Sequence, residues 1–142
     1  MALSFDASKY TLATKVNDFY SDFNNNLDIH PGTGDFMRVR NEAAVIQSVK
    51  NLLLTDFYER PFQPRIGCRV RQMLFEHISP ITSIRIQTAI EDTLGNFERR
   101  INLIDTTVEP DDENNGYNIR LRFSLINSSI PVELNFFLDR IR

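Results

Sequence analysis

Residues 117–125 read YNIRLRFSL, and the strict alternation of apolar and polar side chains in this stretch decides the fold class. The apolar positions are Tyr117, Ile119, Leu121, Phe123 and Leu125. Successive side chains of a β-strand point to opposite faces, so this pattern predicts a strand with one buried face and one solvated face.

The same alternation recurs after a turn at residues 127–129. Its apolar positions are Val132, Leu134, Phe136 and Leu138. Residues 101–109 form a further strand candidate, followed by an acidic turn over residues 110–116. These segments predict antiparallel strands with one face turned toward the helices.

Upstream of the strands, the apolar period changes to three and four residues. One helix begins at Asn41, which is a candidate N-cap, and ends near Thr55. A shorter helix follows within residues 70–78, and Ser79-Pro80 predicts the start of a third. Helices grouped between strand pairs predict an α+β fold: a two-layer domain of three helices packed on a small, mainly antiparallel sheet.

The N-terminal part of the chain divides into an arm and a hairpin. Residues 1–19 are predicted to form the arm, and residues 20–142 a single domain. Within that domain, turn residues at 30–34 separate two short strand candidates, at 23–29 and 36–40. We expect these two segments to pair as a small hairpin.

Composition argues against several classes of function. The net charge of −3 and the pI of about 5.4 argue against nucleic acid as a partner, and no apolar run is long enough to cross a membrane. Cys68 is the single cysteine, so it can form no intrachain disulfide and no cysteine-based metal site. We expect no cofactor, no metal and a reducing compartment.

Candidate catalytic groups are weak. The acidic residues of the 110–116 turn are expected to be solvated, and Glu59, Glu76 and Glu91 have no assignable partner acid. His30 and His77 have no neighbouring ligands at metal spacing. We therefore expect no catalytic residues and no enzyme activity.

The segment between the first two helices, residues 58–67, reads YERPFQPRIG. Its two prolines are expected to hold it extended, so that Glu59 and Arg60 point to opposite sides and do not pair with each other. Each side chain then needs its own partner, either within the fold or on another subunit. The residues alone leave those two readings open.

A family resemblance rests on this segment. Glu59-Arg60-Pro61, followed by Phe62, Pro64 and Gly67, resembles the signature of the baseplate wedge and sheath-initiator family of contractile-tailed phages. Residues 73–82, which read MLFEHISPIT, are similar to the stretch before the long helix of that family. The resemblance covers roughly residues 20–140, whereas the arm and the longer hairpin depart from the shortest members.

The resemblance implies a structural role in the virion tail, assembled in the host cytoplasm. Other baseplate wedge proteins and the tail sheath protein would be partners, with tube or hub proteins as further candidates. Its implied wedge-contacting residues are Glu59, Arg60 and Pro61, and we add Phe62 and Pro64 of the same segment. The alternatives are a lysozyme-like peptidoglycan glycosidase of the tail and a type VI secretion baseplate subunit.

A sheath initiator must accept strands from other chains. We expect the segment containing Val132, Leu134 and Phe136 to lie at a sheet edge whose free backbone groups pair with an incoming strand. The alternative is that this segment is an interior strand and offers no edge.

Overall fold

The computed structural model of the protein describes residues 19–140. Its elements are β1 Ser21–Phe23, β2 Arg38–Arg40, α1 Asn41–Leu54, α2 Val70–Met73, α3 Pro80–Phe97, β3 Ile101–Asp111, β4 Gly116–Leu125 and β5 Pro131–Asp139. The predicted α+β class is confirmed, with three helices and two antiparallel sheets. Apart from Phe19, the predicted arm lies outside the described residues, and the single domain over residues 20–142 stays a prediction.

The larger sheet has the strand order β3-β4-β5, with both pairs antiparallel. All five apolar positions of β4 are buried, including Tyr117 and Phe123, while Asn118, Arg120 and Arg122 on the opposite face are exposed. Full burial of one large apolar side chain stabilises a fold by about 1.5–3 kcal/mol. The alternation at residues 117–125 therefore places β4 at the centre of the core.

Helix α3 packs on this sheet along β3, and α1 packs against α3. Ile86 and Ile90 of α3 are buried, as are Val45 and Val49 of α1. The predicted start of α3 is confirmed, because the Ser79 hydroxyl accepts a hydrogen bond from the Thr82 backbone N–H at 3.1 Å. The helices within the described range are too short or too polar to cross a membrane.

Two details of the helical prediction and one of the strand prediction are wrong. The N-cap of α1 is Arg40, and the carboxamide oxygen of Asn41 instead accepts a hydrogen bond from the Phe19 N–H at 2.9 Å. Helix α2 is a single turn, and β3 continues through Pro110 to Asp111. Pro110 is tolerated there because β3 is an edge strand of the sheet.

The predicted hairpin forms a second, two-stranded sheet from β1 and β2. Its first strand, Ser21–Phe23, lies upstream of the predicted residues 23–29, within which Ile29 makes an isolated bridge to Phe36. The hairpin rests on α1 through polar contacts: the Gln47 carboxamide donates to the Phe23 carbonyl at 2.6 Å, and the Asn25 and Asn51 side chains bond to each other. The hairpin is thereby fixed beside the start of the helical layer.

The two edges of the larger sheet differ. Helix α3 packs along β3, whose pairing with β4 shifts register between Leu103 and Asp105. Strand β5 pairs with β4 over nine residues without a shift, and no helix packs along it as α3 does along β3. Within residues 19–140 β5 is an edge strand of this sheet, so the expectation that it is an edge strand is confirmed and the interior-strand alternative is wrong for that part of the chain.

Candidate protein-interaction surfaces

The segment between α1 and α2 does not run extended. Residues 56–67, here called the wedge loop, form a succession of turns in which the Tyr58 N–H donates to the Pro64 carbonyl at 2.9 Å. Its base is closed by the Cys68 N–H, which donates to the Thr55 carbonyl at 2.8 Å. The predicted extended path is wrong because proline restricts the torsion angles of its neighbours but does not prevent longer-range backbone pairing.

Gly67 makes the closure of this loop possible. A Cβ atom at this position would lie 2.7 Å from the carbonyl carbon and oxygen of Asp56. No side chain can be accommodated without moving that backbone. The glycine of the sequence signature is therefore required by packing inside the loop.

The two charged residues of the signature have different surroundings. The Glu59 carboxylate turns back into the loop and accepts a hydrogen bond from the Asp56 N–H at 2.8 Å. The Arg60 side chain makes no hydrogen bond or ion pair with any other residue in the range 19–140. As expected, the two do not pair with each other, but only the arginine is left without a partner within the described fold.

The outer surface of the wedge loop is aromatic. Tyr58 is 83% exposed and Phe62 is fully exposed, and Pro61 and Pro64 are exposed as well. Both aromatic residues adopt positive backbone φ angles, 67° for Tyr58 and 69° for Phe62. Side chains of this size rarely occupy the left-handed region, so the loop displays these rings at a cost in backbone strain.

The three β5 residues singled out from the sequence lie on its core face. Val132 and Leu134 are buried, and Phe136 is half-buried against the core. Their side chains are therefore not free to contact another chain. What β5 leaves open to a partner is its backbone and its outward-facing side chains, such as Glu133 and Asn135.

A partly buried ion pair that the sequence did not reveal lies beside the wedge loop, in a groove that Arg60 also lines. The Glu98 side chain is only 5% exposed and accepts two hydrogen bonds from the Arg100 guanidinium, at 2.7 and 2.6 Å. The Ser48 hydroxyl of α1 donates to the same carboxylate at 3.1 Å, and the guanidinium also lies over the Tyr20 ring.

The titration of Glu98 reflects this environment. Burial acts to raise the pKa of its carboxyl group, but the hydrogen bonds and charge of Arg100, together with the Ser48 hydroxyl, outweigh burial, so the pKa is lowered. The same pairing raises the pKa of Arg100. Glu98, at the end of α3, thus binds both Ser48 of α1 and Arg100, which directly precedes β3. The ion pair therefore links these three elements.

Comparison with known proteins identifies the family. The model of the family described as baseplate wedge protein gp25 matches residues 39–129, which run from the end of β2 through β4 and include the wedge loop. The chain belongs to this family. The resemblance inferred from the sequence signature is thereby confirmed, and the protein is a baseplate wedge protein of a contractile tail.

Individual family members and folds extend the match. Baseplate wedge protein gp25 of Enterobacteria phage T4 is 29% identical over 122 residues, which cover 83% of this chain and 89% of the relative. The baseplate of the anti-feeding prophage contains a similarly folded chain, with a TM-score of 0.60, 20% identity and 87% of each chain covered. As a baseplate component, the protein associates with other baseplate proteins.

A third similarity bears on enzyme activity. A protein of Geobacter sulfurreducens described as a tail lysozyme has the same fold, with a TM-score of 0.64, 21% identity, and 69% of this chain and 89% of that chain covered. The likeness at this identity extends to the fold alone. Any activity of this wedge protein must be judged from its own carboxylates.

Those carboxylates are engaged in ways that differ from a glycosidase pair. Glu76 forms an ion pair with Arg85 at 2.6 Å, and Glu91 accepts from Gln87 at 2.9 Å. In the acidic turn, hydrogen bonds from the Asn114 side chain and backbone lower the pKa of Asp111. Glu98 and Asp111 thus both shift downward, opposite to the raised pKa that a general acid needs.

The remaining chemical candidates serve the fold. Burial raises the pKa of the Cys68 thiol, which contacts the Ala89 carbonyl at 3.6 Å. The His30 ring accepts a hydrogen bond from the Gly32 N–H at 3.2 Å. Residues 19–140 contain no cluster of histidine, cysteine and carboxylate side chains that could hold a metal ion.

Proposed function

We propose that this wedge protein is a non-enzymatic joint of the tail baseplate. Its wedge loop binds the core bundle of the other wedge proteins, and its β5 edge starts the polymerisation of the tail sheath. The protein joins the baseplate in the host cytoplasm before the sheath is added. No cofactor takes part in this role.

The observation that carries the proposal is the state of Arg60. Its guanidinium is exposed on a loop closed by internal hydrogen bonds, and it has no side-chain partner in the described part of the chain. Arginine makes planar, bidentate contacts with carboxylates and is enriched at protein interfaces. A loop that is already ordered loses little conformational entropy when it docks. These properties support a contact with another subunit.

The second part of the proposal, that the protein starts sheath polymerisation, rests on β5. A strand that is unpaired on one side presents backbone N–H and C=O groups that another strand can continue. Strand β5 is regular over nine residues, and no helix covers it in the way that α3 covers β3. An incoming sheath strand would extend the β3-β4-β5 sheet at this edge.

The environment of the carboxylate side chains supports the proposal that the protein is not an enzyme. Glu98 is the buried carboxylate of residues 19–140, and it is neutralised by Arg100 rather than held as an acid. We expect the purified protein to release no soluble fragments from peptidoglycan. Turnover that disappears when one carboxylate is replaced by its amide would show that the protein is a glycosidase instead.

Binding of the wedge loop to other wedge proteins is tested by capture of purified wedge proteins on the immobilised chain. Arg60→Ala is expected to reduce capture at low salt, because a rim charge acts mainly on association, while the thermal unfolding midpoint stays unchanged. Arg122→Ala, which removes an exposed arginine from the outer face of β4, is the matched control and should capture normally. Equal capture by both variants would refute the wedge-loop assignment.

The proposed start of sheath polymerisation at β5 is tested by replacing a residue of β5 whose side chain is exposed. Asn135→Pro removes one backbone N–H from the strand, whereas Asn135→Ala leaves the backbone intact. Sheath polymerisation on preassembled baseplates should fail with the proline variant and proceed with the alanine variant. Normal sheath assembly on a folded proline variant would rule out strand addition at β5.

A further inference from the structure

The wedge loop exposes two aromatic rings that a folded chain ordinarily buries. Tyr58 and Phe62 lie on its outer surface, and both have left-handed backbone conformations. Strained backbone persists where the surrounding structure enforces it, and it occurs preferentially at binding and catalytic sites. Exposed aromatic side chains on ordered backbone are typical of interface anchors. The two features coincide at both positions of this one loop.

The loop is held in this conformation by contacts that do not involve the rings. The Tyr58 N–H bonds to the Pro64 carbonyl, and the Ile66 N–H bonds to the Gln63 carbonyl at 3.1 Å. Gly67 packs directly on the Asp56 backbone. The rings are thus displayed before any partner arrives, which lowers the entropic cost of binding.

The acidic side chains of the loop are engaged within the described fold. Glu59 accepts from the Asp56 N–H, and Asp56 itself accepts from the Gln72 carboxamide at 3.1 Å. The basic side chains Arg60 and Arg65 are exposed and have no side-chain partner among residues 19–140. The free charge on this surface is therefore positive, although the whole chain carries a net charge of −3.

We infer that Tyr58 and Phe62 are the anchors of the wedge-binding surface, that Arg60 and Arg65 form its charged rim, and that Glu59 is a positioning residue. The complementary partner is a protein surface with an apolar pocket for the two rings and carboxylate side chains around that pocket. This inference rests on the proposed function, and it assigns to the two rings most of the binding energy. Glu59 acts through the Asp56 amide, which shapes the first turn of the loop.

The anchors are tested by titrating the full chain with the purified wedge complex that lacks it. Phe62→Ala and Tyr58→Ala should each weaken binding by about 30-fold, as the loss of a hot-spot aromatic does. The matched control is Phe75→Ala, because Phe75 is 59% exposed but lies outside the loop, and it should change affinity by less than about threefold. Equal effects of Phe62→Ala and Phe75→Ala would overturn the anchor assignment.

The rim is tested by salt dependence. Arg60→Ala and Arg65→Ala should slow association more than they speed dissociation, and the difference from the natural chain should shrink as salt is added. If removal of either arginine left both rate constants unchanged at low salt, the partner would not carry the bordering carboxylates.

The role of Glu59 is separated from direct contact by two substitutions. Glu59→Gln keeps an oxygen that can accept from the Asp56 N–H, so both binding and the hydrogen-exchange protection of that amide should be retained. Glu59→Ala should lose both together. A Glu59→Gln variant that lost binding while the Asp56 amide stayed protected would show that the carboxylate contacts the partner itself.

A combined variant distinguishes failure of this inference from failure of the proposed function. When Tyr58, Arg60, Phe62 and Arg65 are all changed to alanine, natural affinity for the wedge complex would refute wedge binding by the loop. Lost binding in that variant, with normal binding by Phe62→Ala and Tyr58→Ala, would refute only the aromatic anchors. Self-association of the natural chain that is abolished by Phe62→Ala, without wedge binding, would assign the surface to a second copy.

Discussion

The wedge loop and the β5 edge are both open to other chains, but they present different chemical groups. The loop presents side chains: the Tyr58 and Phe62 rings stand in solvent, and its backbone is paired internally at the Tyr58 N–H and Pro64 carbonyl. Strand β5 presents its backbone, because Val132 and Leu134 are buried in the core. One surface can select a partner by shape and charge, and the other by strand pairing.

This difference predicts different costs of mutation. In β5 the apolar side chains serve folding, so replacing them should act through stability. In the wedge loop the exposed side chains contribute little to the fold, so replacing them should act through binding. Four substitutions, in decreasing order of expected effect on stability, test how sharply the two roles are divided.

Leu134→Ala should have the largest effect on stability. Leu134 is buried on the core face of β5, and truncation of a buried leucine destabilises by about 2–5 kcal/mol. Urea denaturation followed by circular dichroism measures this change. A loss below about 0.5 kcal/mol would mean that β5 is not part of the core, because changes of that size are typical of surface substitutions.

Glu98→Gln probes the ion pair beside the wedge loop, where Glu98, Arg100 and Arg60 line one groove of about 470 Å³. Loss of hydrogen bonds between charged groups should destabilise the fold by about 1.5–3 kcal/mol at neutral pH. The measurement is the free energy of unfolding from urea titrations, with Glu91→Gln on the surface of α3 as the control.

The pH dependence gives a second readout of the same pair. The folded-state pKa of Glu98 is lowered, so the stability it adds is present above its ordinary value of 4.5 and is lost as the pH falls through the folded-state value. The natural chain should therefore lose more stability than Glu98→Gln between pH 7 and acidic pH. Parallel pH profiles would contradict the lowered pKa.

Gly67→Ala should destabilise the closed wedge loop by about 1–3 kcal/mol, because the added Cβ meets the Asp56 backbone. Hydrogen exchange at the Tyr58 and Cys68 amides should become faster in this variant, while exchange in β4 changes little. Gly95→Ala is the control, since a Cβ at that position would meet no atom within 4 Å apart from its chain neighbours and the nearby backbone of its own helix. Equal exchange in both variants would show that the loop does not depend on this packing.

Phe62→Ala should have the smallest effect on stability. Its ring is fully exposed, so the free energy of unfolding should change by no more than about 0.5 kcal/mol. Calorimetry of the purified variant measures this. A larger loss would place the ring in a structural role and would weaken the contrast with β5.

The fold was predictable where one local pattern determines it. The alternation at residues 117–125 identified β4 and its buried face, and Ser79-Pro80 identified the start of α3. The cap of α1 was misassigned because asparagine is a favoured N-cap residue, whereas the Asn41 side chain accepts from the Phe19 N–H and Arg40 occupies the N-cap position. That contact joins residues 22 positions apart, so no local pattern reveals it.

The interaction surfaces were predictable only in part. The signature located the wedge loop, but its path depends on hydrogen bonds such as that between Tyr58 and Pro64, which the restrictions imposed by proline do not determine. Glu98 and Ser48 are 50 residues apart, so no local spacing revealed their pairing. The alternation of apolar and polar residues is similar in β4 and β5. It therefore did not predict that α3 would pack along β3.

The central claim is that two separate surfaces of one chain join the wedge to the sheath. It is tested most directly by measuring wedge capture and sheath polymerisation in parallel for Phe62→Ala and Asn135→Pro. The account predicts that Phe62→Ala loses wedge capture but still starts sheath when supplied on preassembled baseplates at saturating concentration, and that Asn135→Pro does the reverse. If either folded variant lost both activities, or if both variants retained both, the claim would be contradicted.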